Sequence, residues 1–421
     1  MPATTARFVS TITAAAALAV AAAATAAPSE PRWFAAAQAA EPAVIASLKD
    51  MVAIESGSAN AAGLAQMADY VERRLRDVGA RTERIAGAGG HGTMVRGTLT
   101  GTGAKKLMLI AHMDTVYPAG TLASQPYRRD GNKLYGPGIA DDKGGIAVIL
   151  HSLAILKDAG WRDYAQITVL FNQDEEVGST GSGETIARLA GEHDVVFSCE
   201  PTSAKAVART EGLLLGAAGT AVVTMEVAGR SSHAGAAPDA GRNALIELAY
   251  QLQQTRDIAQ SIPGAQLNWT RAQAGVVGNQ IPEKATATAD VRITVPGADA
   301  KLRQALADKV AGSRLVPDTE TNIRLDVGRP PFLANDRARA LAIEAQAIYR
   351  ELDGRILGLT PMTGGATDAG FAGRSGKPVV LESFGLAGFG YHARDEYIEI
   401  DSIVPRLYLM TRLLQTAARS N

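Results

Sequence analysis

The strongest constraint on the fold is an alternation of short apolar runs with stretches of helical periodicity. Runs at residues 106–111, 166–171 and 195–198 predict strands, and the pattern at residues 144–159 predicts a helix. Strands that alternate with helices favour a mostly parallel sheet covered by helices on both faces. Open α/β sheets of this kind place their sites beyond the carboxyl ends of the strands. The residues that follow these runs are therefore the first candidates for function.

A different rhythm occupies the stretch from residue 219 to residue 329. The pattern there predicts strand, helix, strand, strand, helix, strand, at residues 221–227, 242–254, 266–274, 285–295, 300–311 and 322–327. This β-α-β-β-α-β order is the ferredoxin-like split unit. Patterns of the earlier type resume at residues 337–352, 377–382 and 403–417. Two further helical patterns, at residues 42–54 and 61–78, precede the first strand.

The chain therefore divides into an α/β domain and a smaller domain inserted into it. Its 421 residues exceed what one hydrophobic core normally organises. We predict that the first part of the α/β domain spans residues 27–218 and the second part residues 331–421. The inserted ferredoxin-like α+β domain is predicted at residues 219–330.

The first residues have the composition of a secretory signal. Arg7 precedes an apolar run at residues 12–20, and small residues up to Ala26 follow it. This order predicts a signal peptide at residues 1–26 and an exported protein, periplasmic or secreted. A transmembrane anchor, the alternative, needs roughly 20 strongly apolar residues, whereas this stretch is mostly alanine.

Charge and cysteine content exclude several classes of function. The formal net charge of -1 provides no electrostatic footprint for nucleic acid or an anionic membrane. The single cysteine, Cys199, rules out an intramolecular disulfide and follows an apolar run, so we expect a buried apolar side chain rather than a nucleophile.

Four segments place potential metal ligands immediately after predicted strands. They end in His112, Asp141, Glu176 and Glu200. Each alone is weak, because a carboxylate at a strand end is more often a turn residue or a helix cap. Together they form a mixed histidine and carboxylate set that suits zinc, with cobalt or manganese as substitutes. Five protein ligands with one bridging carboxylate would serve two ions.

At these residues the sequence resembles the M20 zinc peptidase family. The resemblance covers nearly all of the chain after the signal, in family order. The matching segments are residues 112–116, 136–145, 174–176, 200–202, 232–235, 364–368 and 390–392.

The resemblance implies the roles of the residues around two zinc ions. Asp141 bridges the ions, with His112 and Glu200 on one and Glu176 and His392 on the other. It also implies a cis peptide bond after Asp141.

Two further residues of the same region receive catalytic roles from the resemblance. Glu175 is the general base, a role that suits a carboxylate beside a ligand but not itself bound. Asp114 orients the imidazole of His112 as an acceptor behind the ligand.

The resemblance also assigns residues that contact the substrate. His233, in the inserted domain, stabilises the oxyanion, usually across a dimer interface, and Asn279 and Arg292 help hold the substrate carboxylate. Arg329 is expected to contact an acidic side chain or carboxylate. Taken alone, His233 is a loop histidine, and each arginine has a solvated surface position as its alternative.

The glycine-rich segment at residues 364–368 is expected to bind the substrate through its backbone. It carries no GxxxxGK[ST] pattern, so nucleotide binding is excluded. In the family, main-chain donors of this segment, here Gly364 and Gly365, face the substrate carboxylate. Of the remaining histidines, His151 is expected in a helix, and His91 and His193 on surface loops.

The resemblance implies a di-zinc carboxypeptidase that acts as a homodimer on small substrates. The expected reaction is hydrolysis of the amide bond to a C-terminal amino acid, with glutamate as the expected residue and folate-type or N-acyl-glutamate compounds as substrates. A dipeptidase, aminopeptidase or N-acyl amino acid deacylase would keep the same fold, because few pocket residues set specificity. A noncatalytic binding protein is the alternative from another class. The intact Glu175 and five ligands argue against it.

Overall fold

The computed structural model describes residues 30–419. The predicted signal peptide lies outside the described residues. Within residues 30–419, no helix has both the length and the apolar character that crossing a membrane requires.

The α-helices of the described chain are numbered in order. They are α1 (Pro31–Val52), α2 (Ala61–Asp77), α3 (Lys143–Asp158), α4 (Gly183–Ala190), α5 (Ala244–Thr255), α6 (Ala298–Ala311), α7 (Asp336–Arg350), α8 (Ala369–Gly373) and α9 (Ile403–Arg419).

The β-strands are numbered in the same way. The first group is β1 (Arg81–Ala86), β2 (Thr93–Thr100), β3 (Lys106–His112), β4 (Arg128–Asp130), β5 (Lys133–Tyr135), β6 (Gln166–Asn172), β7 (Val195–Ser198), β8 (Thr202–Ser203), β9 (Gly212–Leu214) and β10 (Gly216–Ala217). The second group is β11 (Gly219–Ala228), β12 (Ser232–His233), β13 (Ala265–Ala274), β14 (Gln280–Ile281), β15 (Lys284–Ile293), β16 (Glu320–Val327), β17 (Phe332–Leu333), β18 (Gly358–Thr360), β19 (Val379–Leu381), β20 (Ala387–Phe389) and β21 (Tyr397–Glu399).

The largest sheet is mixed but mostly parallel, as the alternation of elements predicts. Its strand order is β1-β2-β6-β3-β7-β19. The strands β6, β3, β7 and β19 run parallel, and β1 and β2 form an antiparallel edge. Every residue of β3 after Lys106 is buried. Because successive side chains point to opposite faces, both faces of this strand are covered.

Helices pack against this sheet and against each other. The helices α3 and α9 contact β3, α2 contacts β1 and β2, and α7 and α8 contact β19. The helix α1 begins at Pro31 and continues through Pro42, where the sequence predicts its start. Its buried face packs on α3 and α9, and this tertiary packing supports the helix where proline removes one backbone hydrogen bond.

The inserted segment forms the predicted ferredoxin-like unit. Its antiparallel sheet has the order β13-β15-β11-β16, with α5 and α6 packed against it. Along β15 buried side chains alternate with more exposed ones, so the sheet buries one face. That face contributes to two apolar clusters that are separate from the core of the larger sheet. Separate cores support the proposed division at residues 219 and 330, which stays a prediction.

A third sheet lies beside the carboxyl end of the larger one. Its order is β4-β5-β21-β20-β8. The strand β8 begins two residues after Glu200, and the loop between β20 and β21 carries His392. This sheet therefore connects two of the predicted ligands.

Candidate active site

Three of the predicted ligand segments meet at the carboxyl ends of adjacent parallel strands. His112 is the last residue of β3, Glu175 and Glu176 lie in the 3₁₀ turn after β6, and Glu200 follows β7 by two residues. The strands β6, β3 and β7 are neighbours, so these side chains converge.

Asp141 reaches the site from a loop and not from a strand end. The prediction that a strand directly precedes Asp141, at residues 136–140, is wrong, because β5 ends at Tyr135 and α3 begins at Lys143. Instead of pairing with another strand, this loop donates its backbone N–H groups at Gly138, Ala140 and Asp141 to the carboxylate of Glu396. The next residue, Asp142, caps α3 by accepting from the Gly145 N–H at 3.2 Å, and the peptide between Asp141 and Asp142 is cis, as the resemblance implies.

The five predicted ligands form two clusters that share Asp141. In the first, His112 Nε2 lies 3.0 Å from Asp141 Oδ1 and 3.7 Å from Glu200 Oε1. In the second, His392 Nε2 lies 3.4 Å from Asp141 Oδ2 and 3.1 Å from Glu176 Oε2. Each oxygen of the Asp141 carboxylate thus faces a different cluster.

The geometry and chemistry of both clusters fit a metal ion. In each cluster one ligand atom per residue lies within 4.8 Å of the others. Ligands about 2.0–2.2 Å from a tetrahedral zinc lie roughly 3.4 Å from one another, close to the distances between these atoms. A carboxylate that offers one oxygen to each cluster suits a bridge between two ions.

The electrostatic field at both clusters also favours cations. Burial disfavours the charged ring of His112, yet the surrounding carboxylates, Glu200 first among them, raise the pKa of this imidazole well above its usual value. Hydrogen bonds to Asp141 and Glu176 raise the pKa of His392 to about 10. A field that stabilises a proton on each ring stabilises a divalent cation there, and the two compete for the same nitrogen.

Asp114 lies behind His112, on the Nδ1 side of its ring. The Nδ1 atom of His112 lies 3.0 Å from the main-chain oxygen of Asp114 and 3.4 Å from its carboxylate. That carboxylate also accepts from the N–H groups of Glu175 (3.0 Å) and Glu176 (3.1 Å) and from the hydroxyl of Ser58 (2.8 Å). Asp114 is therefore placed to orient the ring as well as the turn that carries Glu175 and Glu176.

Glu175 is buried beside the clusters and pairs with Arg329. Its Oε1 lies 2.9 Å from Arg329 Nη2. Burial raises the pKa of Glu175 well above its usual value, and Arg329 opposes this shift. A raised pKa makes a carboxylate a more effective general base at neutral pH, because the best catalytic pKa lies near the working pH. Arg329 is only 9% exposed, so the solvated alternative for this arginine is wrong.

A cavity of about 490 Å³ opens over the clusters. The predicted substrate contacts Arg292, Arg329 and Gly365 line it, whereas His233, Asn279 and Gly364 do not. Arg292 is partly exposed and pairs with Asp290 through Nε at 3.0 Å. The same cavity is therefore lined by residues of both ligand clusters and by two arginines.

His233 and Asn279 lie together on the inserted segment. The N–H of Ala234 donates to the main-chain oxygen of Asn279 at 2.9 Å, and the side chains of His233 and Asn279 are both exposed. The Nδ1 atom of His233 accepts from the N–H groups of Gly235 and Ala236 at 3.2 and 3.0 Å. The proton of the neutral ring therefore lies on Nε2, which makes that nitrogen a donor.

The other histidines and the cysteine belong to neither cluster. His151 is in α3, and His91 is exposed, as predicted. The prediction for His193 is wrong: this ring is buried, with Nδ1 2.7 Å from the Leu189 oxygen and Nε2 2.8 Å from the Thr168 hydroxyl. Cys199 is fully buried, as expected.

Glu396 is a site residue that the sequence analysis missed. Its buried carboxylate accepts from the N–H groups of Gly138 (2.9 Å), Ala140 (2.8 Å) and Asp141 (3.0 Å). It lies four residues after His392, so one carboxylate connects the loops that carry the bridge and a ligand of the second cluster. An acid directly before the strand β21, four residues after a predicted ligand, was the signal that could have identified it.

We predict that Glu396→Gln weakens metal binding about 10- to 100-fold, as loss of support behind a ligand typically does. The amide keeps the size of the side chain but offers one acceptor oxygen to three N–H groups. Metal affinity, measured by competition with a chelating dye, checks this. Asp395→Asn is the matched control, because its side chain is 83% exposed. Unchanged affinity in Glu396→Gln would contradict a positioning role.

Known proteins share this architecture and much of this sequence. The model of peptidase family M20/M25/M40 matches residues 108–416. Carboxypeptidase G2 from Pseudomonas sp. (strain RS-16) is 45% identical over 383 residues, which are 90% of this chain and 91% of that protein.

Solved structures show the same fold. A tripeptidase from Staphylococcus aureus superposes with a TM-score of 0.74 at 19% identity, covering 90% of this chain and 99% of that one. The YXEP protein of Bacillus subtilis, described as a dinuclear metal binding peptidase from the M20 family, superposes with a TM-score of 0.65 at 14% identity, covering 91% and 99%. With a family model matched over more than half of its length and a relative this similar across nine-tenths of it, the chain belongs to peptidase family M20/M25/M40.

Proposed function

We propose that the protein is a di-zinc carboxypeptidase that releases a C-terminal glutamate from an N-acyl or folate-type substrate. The observation that carries this proposal is the Asp141 carboxylate shared by two histidine and carboxylate clusters beside the buried Glu175. The relative at 45% identity, carboxypeptidase G2, supports cleavage at the C-terminal end of the substrate. Arg292 and Arg329 in the cavity suit a substrate with two carboxylates.

The two clusters would hold the ions. His112, Asp141 and Glu200 would bind one, and Asp141, Glu176 and His392 the other. Bound zinc would polarise the scissile carbonyl and stabilise the negative charge that develops on its oxygen, and cobalt or manganese could substitute.

Glu175 would carry the proton transfers. It takes a proton from the attacking water, whose oxygen forms a bond to the carbonyl carbon. It then gives that proton to the leaving nitrogen as the carbon–nitrogen bond breaks, which frees the terminal amino acid. Asp114 holds the Glu175 N–H at 3.0 Å and so fixes the position of the base.

We infer that a second copy of the chain completes the site. His233 is exposed, offers an Nε2 donor and lies outside the lining of the cavity in its own chain. The edge strands β13 and β16 of the inserted sheet are available for pairing, and exposed edges favour association. A two-fold dimer would bring the His233 of one subunit to the oxyanion of the other.

We also propose that residues 1–26 direct export to the periplasm or the medium. The order of charged, apolar and small residues in that segment supports this.

The zinc-loaded protein is expected to release glutamate from N-acyl-glutamate faster than alanine from N-acyl-alanine, and to leave free dipeptides largely intact. Two cavity arginines favour the acidic residue, and mass spectrometry of the products identifies it. Faster cleavage of free dipeptides would instead identify a dipeptidase. If none of these compounds is cleaved, the protein is better explained as a noncatalytic binding protein.

The variant Glu175→Gln serves as the control in this experiment. It should keep both metals and lower kcat at least ~10²-fold, because it removes the base and no ligand. Loss of metal together with activity would make Glu175 a ligand and overturn its assignment.

His233→Ala should keep its metals and lose about 10²–10³ in kcat, the usual cost of removing an oxyanion donor. Mixing it with Glu175→Ala subunits should restore part of the activity, because each hybrid dimer then has one site with both residues intact. Steady-state kinetics before and after confirmed subunit exchange measure this. If no activity returns, His233 serves its own chain, and near-normal turnover in the single variant would return it to a surface loop.

A further inference from the structure

The contact between Arg329 and Glu175 joins a proposed substrate residue to the proposed base. The two atoms are 2.9 Å apart, and both residues are buried. Both also line the cavity over the metal clusters. The guanidinium thus contacts the base and also borders the space where the substrate would bind.

The backbone of Arg329 is held in a fixed position. Its N–H donates to the Thr220 hydroxyl at 3.1 Å, and its oxygen accepts from the Thr220 N–H at 2.9 Å. The next residue, Pro330, passes so close to Gly370 that a Cβ on that glycine would lie 2.0 Å from the Pro330 oxygen. The guanidinium therefore moves by side-chain rotation from a fixed point.

The other contacts of the guanidinium are longer than its contact with Glu175 and involve uncharged groups. Nη1 donates to the Ala366 oxygen at 3.2 Å, and Nε lies 3.5 Å from the Ser179 hydroxyl. Among residues 30–419, the carboxylate in direct contact with it is that of Glu175. A buried guanidinium is strongly destabilised when it loses its counter-charge, so it leaves Glu175 readily only for another carboxylate.

We propose that Arg329 exchanges partners when the substrate binds, leaving Glu175 for a carboxylate of the terminal residue and thereby releasing the base. The exchange rests on the carboxypeptidase activity proposed above. While Glu175 is paired, the guanidinium occupies one of its oxygens and directs its side chain. The substrate carboxylate takes over that contact, so Arg329 stays paired throughout and Glu175 becomes free to turn towards the water.

The α-carboxylate is the better placed of the two carboxylates of a terminal glutamate. Glu175 must lie beside the scissile nitrogen to protonate it. The α-carboxyl carbon is two bonds from that nitrogen, whereas the side-chain carboxyl carbon is four bonds away. A guanidinium in contact with Glu175 therefore meets the α-carboxylate first. The enzyme would then require a free terminal carboxylate for turnover and not only for binding.

Three substrates separate these roles: N-acyl-glutamate, its α-carboxamide and its side-chain carboxamide. The wild-type enzyme is expected to lose at least ~10²-fold in kcat on the α-carboxamide, since a site built for a charged group rejects its neutral analogue strongly. On the side-chain carboxamide the loss should stay within about 10-fold, and the reverse order would identify the side-chain carboxylate as the partner and overturn the assignment to the α-carboxylate.

The variant Arg329→Met tests the exchange itself. It should lower kcat on N-acyl-glutamate but leave kcat on the α-carboxamide unchanged or raised, because no guanidinium holds the base. Discrimination between the two compounds should fall to within about 10-fold. Arg329→Lys, the variant to use if the methionine variant does not fold, should also reduce discrimination about 10-fold or more, because an ammonium lacks the planar fork. Arg188→Gln is the control, since Arg188 is an exposed residue of α4 that pairs with Glu192 on the protein surface.

Three results would count against the exchange. Equal loss on all three substrates in Arg329→Met, with metal content and melting temperature unchanged, would leave Arg329 a purely supporting residue. Equal kcat of the wild-type enzyme on the parent and both amides would refute the exchange while the carboxypeptidase activity stands. If the wild-type enzyme cleaves none of the three compounds, the proposed function is wrong and the exchange falls with it.

Discussion

The site is organised around the carboxylate of Asp141, which lies between two clusters and offers one oxygen to each. The backbone that carries this carboxylate must be rigid, because metal–ligand distances tolerate errors of only a few tenths of an ångström. Three sets of hydrogen bonds supply that restraint. The side chain of Asp142 caps α3, the carboxylate of Glu396 accepts from the preceding N–H groups, and the buried Lys143 donates to the Pro137 oxygen at 2.9 Å.

Groups of opposite charge lie in contact in this region, and the carboxylates outnumber the cationic side chains. Each histidine faces carboxylates, and the buried Arg329 faces Glu175. A buried ion pair adds little to stability when both partners are present, but removing one partner is costly. These pairs are therefore better understood as devices that position groups for chemistry. The inserted segment contributes separately, through its own apolar clusters and through the exposed His233.

Much of the fold could be predicted because its signals are local. The apolar runs that form β3, β6 and β7 are short and sharply bounded, and the ligand residues follow them directly. The inserted unit was predicted for the same reason, since β15 alternates with period two. Long-range contacts could not be predicted in this way. Glu396 binds a loop 255 residues earlier, the fixed position of Arg329 depends on Thr220, and α1 passes through Pro42 because of helices that lie far away in sequence. His193 is buried and its ring is hydrogen-bonded to Thr168 of β6, which its own surroundings in the sequence did not indicate.

Anomalous diffraction at the zinc absorption edge, from crystals of the zinc-loaded protein, tests the shared carboxylate most directly. Two peaks about 3.5–4 Å apart are expected, the separation of sites that share a bridging ligand, with one Asp141 oxygen bound to each ion. A single peak, or two ions with both Asp141 oxygens on the same one, would contradict it.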